Sequence, residues 1–139
     1  MNATKKEELA IVKRISDHKY NFIGTNGNLL FEKWFDWAGS FYDGFARVAR
    51  DCKYNFIGED GKLLSDKWYN WADIFCDGFA RVQREDSKYN YITKDGKIIS
   101  SEWFDYVDYF YEYDFAVVLR TNGEWNFIDK TGKIALASK

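Results

Sequence analysis

Proline is absent from this chain of 139 residues, histidine occurs once and cysteine twice. Without proline, no segment reads as a rigid polyproline linker. A zinc site needs Cys and His in close pairs, and His18, Cys52 and Cys76 form none. A disulfide scaffold would use more cysteines at regular spacing, so both thiols are expected to be reduced, in a cytoplasmic setting. Long hydrophobic runs are missing as well. The apolar run Leu9–Val12 is too short for the core of a signal peptide, and no stretch approaches the roughly 18 apolar residues of a membrane span. Charge is nearly balanced, with 22 acidic against 20 basic residues, which disfavours bulk attraction to nucleic acid. The Asn-Gly and Asp-Gly turns lack the alternating carboxylates of a calcium loop. No metal or other cofactor is expected.

Aromatic residues are what the chain has in excess, at 20%, and they favour strands and binding surfaces. They recur. Tyr20, Tyr54, Tyr89 and Trp125 head the segments KYNFIG, KYNFIG, KYNYIT and EWNFID, spaced 34, 35 and 36 residues apart. Gly27, Gly61, Gly96 and Gly132 keep the same spacings. Trp34, Trp68 and Trp103 recur in KWFDW, KWYNW and EWFDY, and FARVAR, FARVQR and FAVVLR follow. A period of this size means a solenoid, propeller or array. The growth of the period falls between landmarks, one residue before Tyr89 and one before Phe115, where turns absorb insertions.

Three strands are expected per repeat: FARVAR, then KYNFIG after a tight turn at Asp51-Cys52, then LLFE, KLLS, KIIS or KIALA. Within the first, Phe45, Arg47 and Ala49 point one way and Ala46, Val48 and Arg50 the other. The turns at Asn26-Gly27, Asp60-Gly61 and Asp95-Gly96, with Thr131-Gly132 as a variant, predict type I′ hairpins. The segment WFDWAGSFYDG and its copies read as a loop or 3₁₀ turn that plugs its aromatics against the next hairpin. Thr4 and Glu7 fit a capping box for a short helix from Lys5. The repeat register instead makes Ile11–His18 the copy of the FARVARDC strand, so the tail of residues 1–9 precedes a strand from about Ala10. Residues 10–139 form one domain, with repeats at about 10–43, 44–77, 78–113 and 114–139. The last lacks the Trp segment and ends in polar Ser138-Lys139, as a terminal cap would.

These landmarks resemble the WG-repeat family of bacterial proteins, whose unit reads roughly A-R-V, a short turn, K-W-G-F-I-D, then T-G-K and an apolar strand. FARVARDCKYNFIGEDGKLL, FARVQREDSKYNYITKDGKII and FAVVLRTNGEWNFIDKTGKIA carry the match. The Gly of the family's WG pair is Asn here, at Asn21, Asn55, Asn90 and Asn126, and three of the four Trp are Tyr. Asn is expected to stand in because it tolerates left-handed backbone. The family motif is structural, so the resemblance implies a fold rather than an activity.

The expected fold class is all-β: antiparallel hairpin or three-stranded units stacked as a short solenoid or curved sheet. A single unit cannot bury its apolar face, and stacking on a neighbour does so. Trp68 reads as core, with Trp68→Ala costing about 3–5 kcal/mol.

For catalysis, His18 is the single histidine and aligns with Cys52 and Ser87 in a turn, so it is expected to be exposed and idle rather than the base of a nucleophilic triad. Asp36, Asp43, Asp73 and Asp77 repeat at comparable places, which argues for turn chemistry. Arg47, Arg50, Arg81, Arg84 and Arg120 form a ladder interleaved with aromatics. It could stack nucleic-acid bases, or lie across aromatic faces as cation–π and salt-bridge partners; the charge balance favours the second. No catalytic residue is expected. The expected function is binding of a macromolecular partner, foremost a protein. The candidate surface is the acidic-aromatic segment Asp105, Tyr106, Asp108, Tyr109, Tyr111, Glu112, Tyr113 and Asp114, facing a basic protein. An inhibitor that occludes its partner, including a phage-encoded one, is one form of this. Nucleic-acid or carbohydrate binding through the Arg/aromatic ladder is the alternative, and an acid–base enzyme comes last.

Overall fold

The computed structural model describes residues 8–111 and 113–135. The capping box at Thr4 and Glu7 and the polar terminus at Ser138-Lys139 lie outside them. Strands β1 (Leu9–Arg14) and β2 (Lys19–Gly24) pair as a two-stranded antiparallel sheet. Three antiparallel three-stranded meanders follow. They are β3 (Trp37–Tyr42), β4 (Phe45–Arg50) and β5 (Lys53–Gly58); β6 (Trp71–Ala72), β7 (Phe79–Gln83) and β8 (Tyr89–Thr93); and β9 (Tyr106–Val107), β10 (Phe115–Leu119) and β11 (Trp125–Asp129). Equivalent strands hold equivalent repeat positions, and the described residues contain no helix. The fold is an all-β repeat.

The third strand of each unit is not the one expected. The LLFE and KLLS segments make only single bridges, Ile23↔Leu29, Ile57↔Leu63, Ile92↔Ile98 and Ile128↔Ile134. The WFDWAGSFYDG segment, expected as a loop, supplies β3, and its copies supply β6 and β9. Each adds to the sheet of the following FARVAR strand, so a unit's sheet begins in the preceding repeat.

The asparagines explain why the LL segment stays out of the ladder. Asn55 is fully buried and does not have the left-handed backbone that the swap for Gly suggested. Its Oδ1 accepts from the backbone N–H of Phe56 at 2.7 Å and its Nδ2 donates to the carbonyl of Ser65 at 2.8 Å. Asn21 reaches the carbonyl of Phe31 at 2.9 Å and Asn90 that of Ser100 at 2.9 Å. A side chain thus takes backbone groups that a third strand would have used.

Turn types are exchanged relative to expectation. Gly27, Gly61, Gly96 and Gly132 have positive φ, but the Asn, Asp and Thr before them do not. Hydrogen bonds such as Gly61 N to Gly58 O (3.0 Å) and Gly58 N to Lys62 O (3.0 Å) close a three-residue loop, a type I turn ending in a left-handed glycine. Pairs of positive φ, the mark of type I′, fall at Asp51-Cys52 (53° and 63°), Asp43-Gly44 (53° and 89°) and Asp77-Gly78 (53° and 87°). His18, Cys52 and Ser87, aligned by the repeat, all have positive φ. The residue inserted before Tyr89 turns the two-residue loop at Asp51-Cys52 into a three-residue loop ending at Ser87, closed by Ser87 N to Arg84 O at 2.9 Å.

Three apolar clusters lie along the row, each shared by successive repeats: around Phe22, Phe35 and Val48; around Phe56, Tyr69 and Val82; and around Tyr91, Phe104 and Val118. Phe35, Tyr69 and Phe104, each one residue after a landmark Trp, are the buried members. Trp34, Trp68 and Trp103 are only half-buried, and each faces an arginine: Arg14 over Trp34 at 4.5 Å, Arg50 over Trp68 at 5.1 Å and Arg84 over Trp103 at 4.5 Å; Trp68 packs against the first cluster and Trp103 against the second.

Candidate functional site

The candidate segment runs off β9 at the last described unit. Asp105 is exposed; its carboxylate pairs with Lys88 and its backbone N–H donates to Leu119 O at 2.8 Å. Tyr106 is exposed, its ring edge-on to Trp125 at 6.0 Å. Tyr111, Tyr113 and Asp114 are exposed too, with Tyr111 at a φ of 53°. Glu112 lies outside the described residues. Asp108 and Tyr109 are half-buried. The Tyr109 hydroxyl donates to Asp73, and its ring lies 3.9 Å from the Arg81 guanidinium. Asp108 Oδ1 accepts from Tyr109 N at 2.8 Å, and its carbonyl accepts from the Tyr91 hydroxyl. The segment is therefore divided: five residues face solvent, and two join it to the repeat before.

Sequence reasoning missed the neighbours of this segment. Phe115, Trp125 and Phe127 are exposed, at 50%, 58% and 44%. One repeat earlier their counterparts are Phe79, Tyr89 and Tyr91, which are half-buried, half-buried and buried. The difference is the covering segment. Phe110 sits 5.0 Å from the Phe79 ring and 4.8 Å from the Tyr91 ring. Phe75 holds the same place against Phe45 and Phe56, each at 4.8 Å. The described part of repeat four presents an apolar face, while the polar terminus expected at Ser138-Lys139 lies outside the described residues.

This face forms an open cleft of about 530 Å³ lined by Phe115, Phe127, Tyr111 and Tyr113 together with Val117, Ala116, Ala135, Asp108 and Tyr109. Beside Phe110, at the equivalent place one repeat earlier, a void of about 10 Å³ remains.

The polar groups elsewhere are engaged within the fold. Asp73, expected in a turn, is buried and receives Arg81 Nη2 at 2.9 Å and Nε at 3.1 Å. Asp43 accepts from Gly78 N at 3.0 Å and pairs with Lys94 at 2.6 Å, which holds its carboxyl below the ordinary range. Arg47 Nη1 donates to Ala72 O at 3.2 Å and Arg81 Nη1 to Val107 O at 3.0 Å, each reaching the next sheet. Arg120 pairs with Glu102 at 2.8 Å and Glu124 at 3.0 Å. Cys52 and Cys76 are free and exposed. Burial, and then Asp77, Asp43 and Asp73, push the Cys76 thiol up, the reverse of nucleophile activation. Among the described residues, no group of three or more His, Cys, Asp or Glu is placed to hold a metal ion, and no helix is long and apolar enough to cross a membrane.

No curated protein matches the chain. Similar solved structures include the computationally designed Ika8 protein, at 12% identity and a TM-score of 0.46, covering 96% of this chain and 46% of that one. Another is the WD40 β-propeller domain of Doa1, at 13% identity and a TM-score of 0.39, covering 93% of this chain and 49% of that one. The chain thus spans less than half the length of either. The family model described as WG containing repeat matches residues 20–54. That stretch is one full period, Tyr20 to Tyr54, and the same landmarks recur after it in equivalent structural positions, which is consistent with a WG-repeat chain.

Proposed function

We propose that this WG-repeat chain is a non-enzymatic binding module that engages a protein partner through the acidic-aromatic end of its repeat row. One observation carries the reading. Of eleven exposed large hydrophobic residues among those described, six lie between Tyr106 and Phe127. Tyr and Trp in such clusters are favoured anchors of interfaces. The exposed Asp114 beside them favours a basic partner surface. By occluding that surface the module acts as an inhibitor, and free, exposed thiols support a cytoplasmic setting. The arginine ladder supports nucleic acid less well, because its guanidinium groups lie on the protein's own rings and carboxylates.

The test is capture from the cell of origin, comparing the wild-type chain with a variant carrying Tyr111→Ser, Tyr113→Ser and Asp114→Lys. These side chains are exposed, so the melting temperature should stay within about 2 °C, the scale of neutral surface changes. A protein retained by the wild type and lost by the variant supports the reading. The same proteins retained by both overturn it.

A further inference from the structure

We infer that the cleft between Phe115 and Phe127 receives an extended segment of the partner in which an arginine immediately precedes a phenylalanine or tyrosine. The inference rests on the binding reading above and names the chemistry of its partner.

The protein contains its own template for this occupant. At the preceding unit, Phe79 and Tyr91 hold Phe110 between them, and the residue before it, Tyr109, donates its hydroxyl to Asp73. Asp73 also receives the guanidinium of Arg81. At the last described unit Phe115 and Phe127 repeat the aromatic pair, and Asp108 repeats Asp73. The backbone equivalence is direct: Asp73 N donates to Arg81 O at 2.8 Å, and Asp108 N donates to Val117 O at 2.9 Å. Val117 therefore stands where Arg81 stands, and it brings no positive charge. Among the described residues, no Lys or Arg makes an ion pair with Asp108. Among the described residues, the site keeps the aromatic clamp and the carboxylate, with neither a ring in the place of Phe110 nor a cation in the place of Arg81. An Arg-Phe pair supplies the two together, with the ring where Phe110 would lie and the guanidinium where Tyr109 and Arg81 meet Asp73. Charge complementarity and continuity with the internal interface thus select the same occupant.

Calorimetric titration of the whole chain with synthetic peptides tests this. The probe is KWFDWAGSFYDG, the protein's own covering segment at residues 33–44. A Phe41→Ala version removes the plug, and a Ser40→Arg version puts arginine before it. The unmodified peptide should bind and the Phe41→Ala peptide should not. The Ser40→Arg peptide should bind about tenfold tighter, the scale of one charge-assisted hydrogen bond. That gain should vanish with Asp108→Asn, and with Val117→Arg, which fills the charge from within as Arg81 does. Equal binding of the Phe41→Ala peptide, or a tenfold gain that survives Asp108→Asn, overturns the inference. So does a dimer in sedimentation that Phe127→Ala dissolves, which assigns the cleft to a second copy. Cellular capture lost with Asp114→Lys but kept with Phe127→Ala leaves the binding reading standing and removes the cleft from it.

Discussion

Gly96 rests on the carbonyl of Leu64, one repeat earlier: a Cβ on Gly96 would meet that oxygen at 2.7 Å. Gly61 meets Leu30 O in the same way, whereas a Cβ on Gly27, in the first repeat, would meet nothing within 4 Å. The same turn glycine thus has one role at the start of the row and two inside it. Gly27→Ala should cost about 1 kcal/mol, for left-handed backbone alone. Gly96→Ala adds a clash with backbone that cannot swing away, and should cost about 3 kcal/mol. Thermal melts of the two variants check this, and equal losses would remove the inter-repeat contact from the account.

The adjacent pair Trp68 and Tyr69 separates landmark from core. Tyr69 is 5% exposed and sits in the middle cluster, while Trp68 is half-buried under Arg50. Tyr69→Ala should cost about 3–5 kcal/mol, as large core truncations do. Trp68→Ala should cost only about 1–2 kcal/mol, from partial burial and one cation–π contact. Denaturant unfolding of both variants gives the order directly.

Asn55 joins strand β5 to the LL segment through its side chain. Asn55→Ala leaves the Ser65 carbonyl and the Phe56 N–H without it, at an expected cost of about 2–3 kcal/mol. Equilibrium unfolding checks the size. Hydrogen exchange should locate the loss at Phe56, whose N–H should exchange faster than that of Val82.

Burial drives the Tyr91 hydroxyl well above the ordinary tyrosine value, and the nearby Asp108 adds to the shift. The folded state keeps this proton when the unfolded state gives it up. Its contribution is therefore complete below about pH 10 and is lost as pH rises toward the folded-state value. The protein should weaken at alkaline pH, and Tyr91→Phe should flatten that loss while costing about 1 kcal/mol at neutral pH for the bond to Asp108 O. Melting temperature followed from pH 8 to 11 for both chains measures it. Parallel curves would assign the alkaline loss to other groups.

Much of the architecture was readable without coordinates. The spacing of Tyr20, Tyr54, Tyr89 and Trp125 fixed four equivalent strands, because a repeated local sequence makes the same local choice each time. Alternation along FARVAR put Ala46 and Val48 on one face, because strand side chains alternate, and the structure buries both, with Ala49 buried from the other face as well. The arginines found the rings and carboxylates near them, as short-range attraction suggests.

Partnership between segments was decided only in the tertiary structure. Asn-Gly and Asp-Gly are compatible with more than one turn, and the loop closed around each decides which is used: type I with a left-handed glycine at Asn26-Gly27, type I′ at Asp43-Gly44. The LL segment has good strand composition, yet Asn55 takes its backbone groups, and the Trp segment joins the next sheet instead. Whether Phe115 and Phe127 are core or surface is not a property of either residue, since their counterparts Phe79 and Tyr91 are covered by Phe110. Local composition sets what a segment favours. Burial depends on which other segment arrives to cover it, and that is settled by the folded chain as a whole.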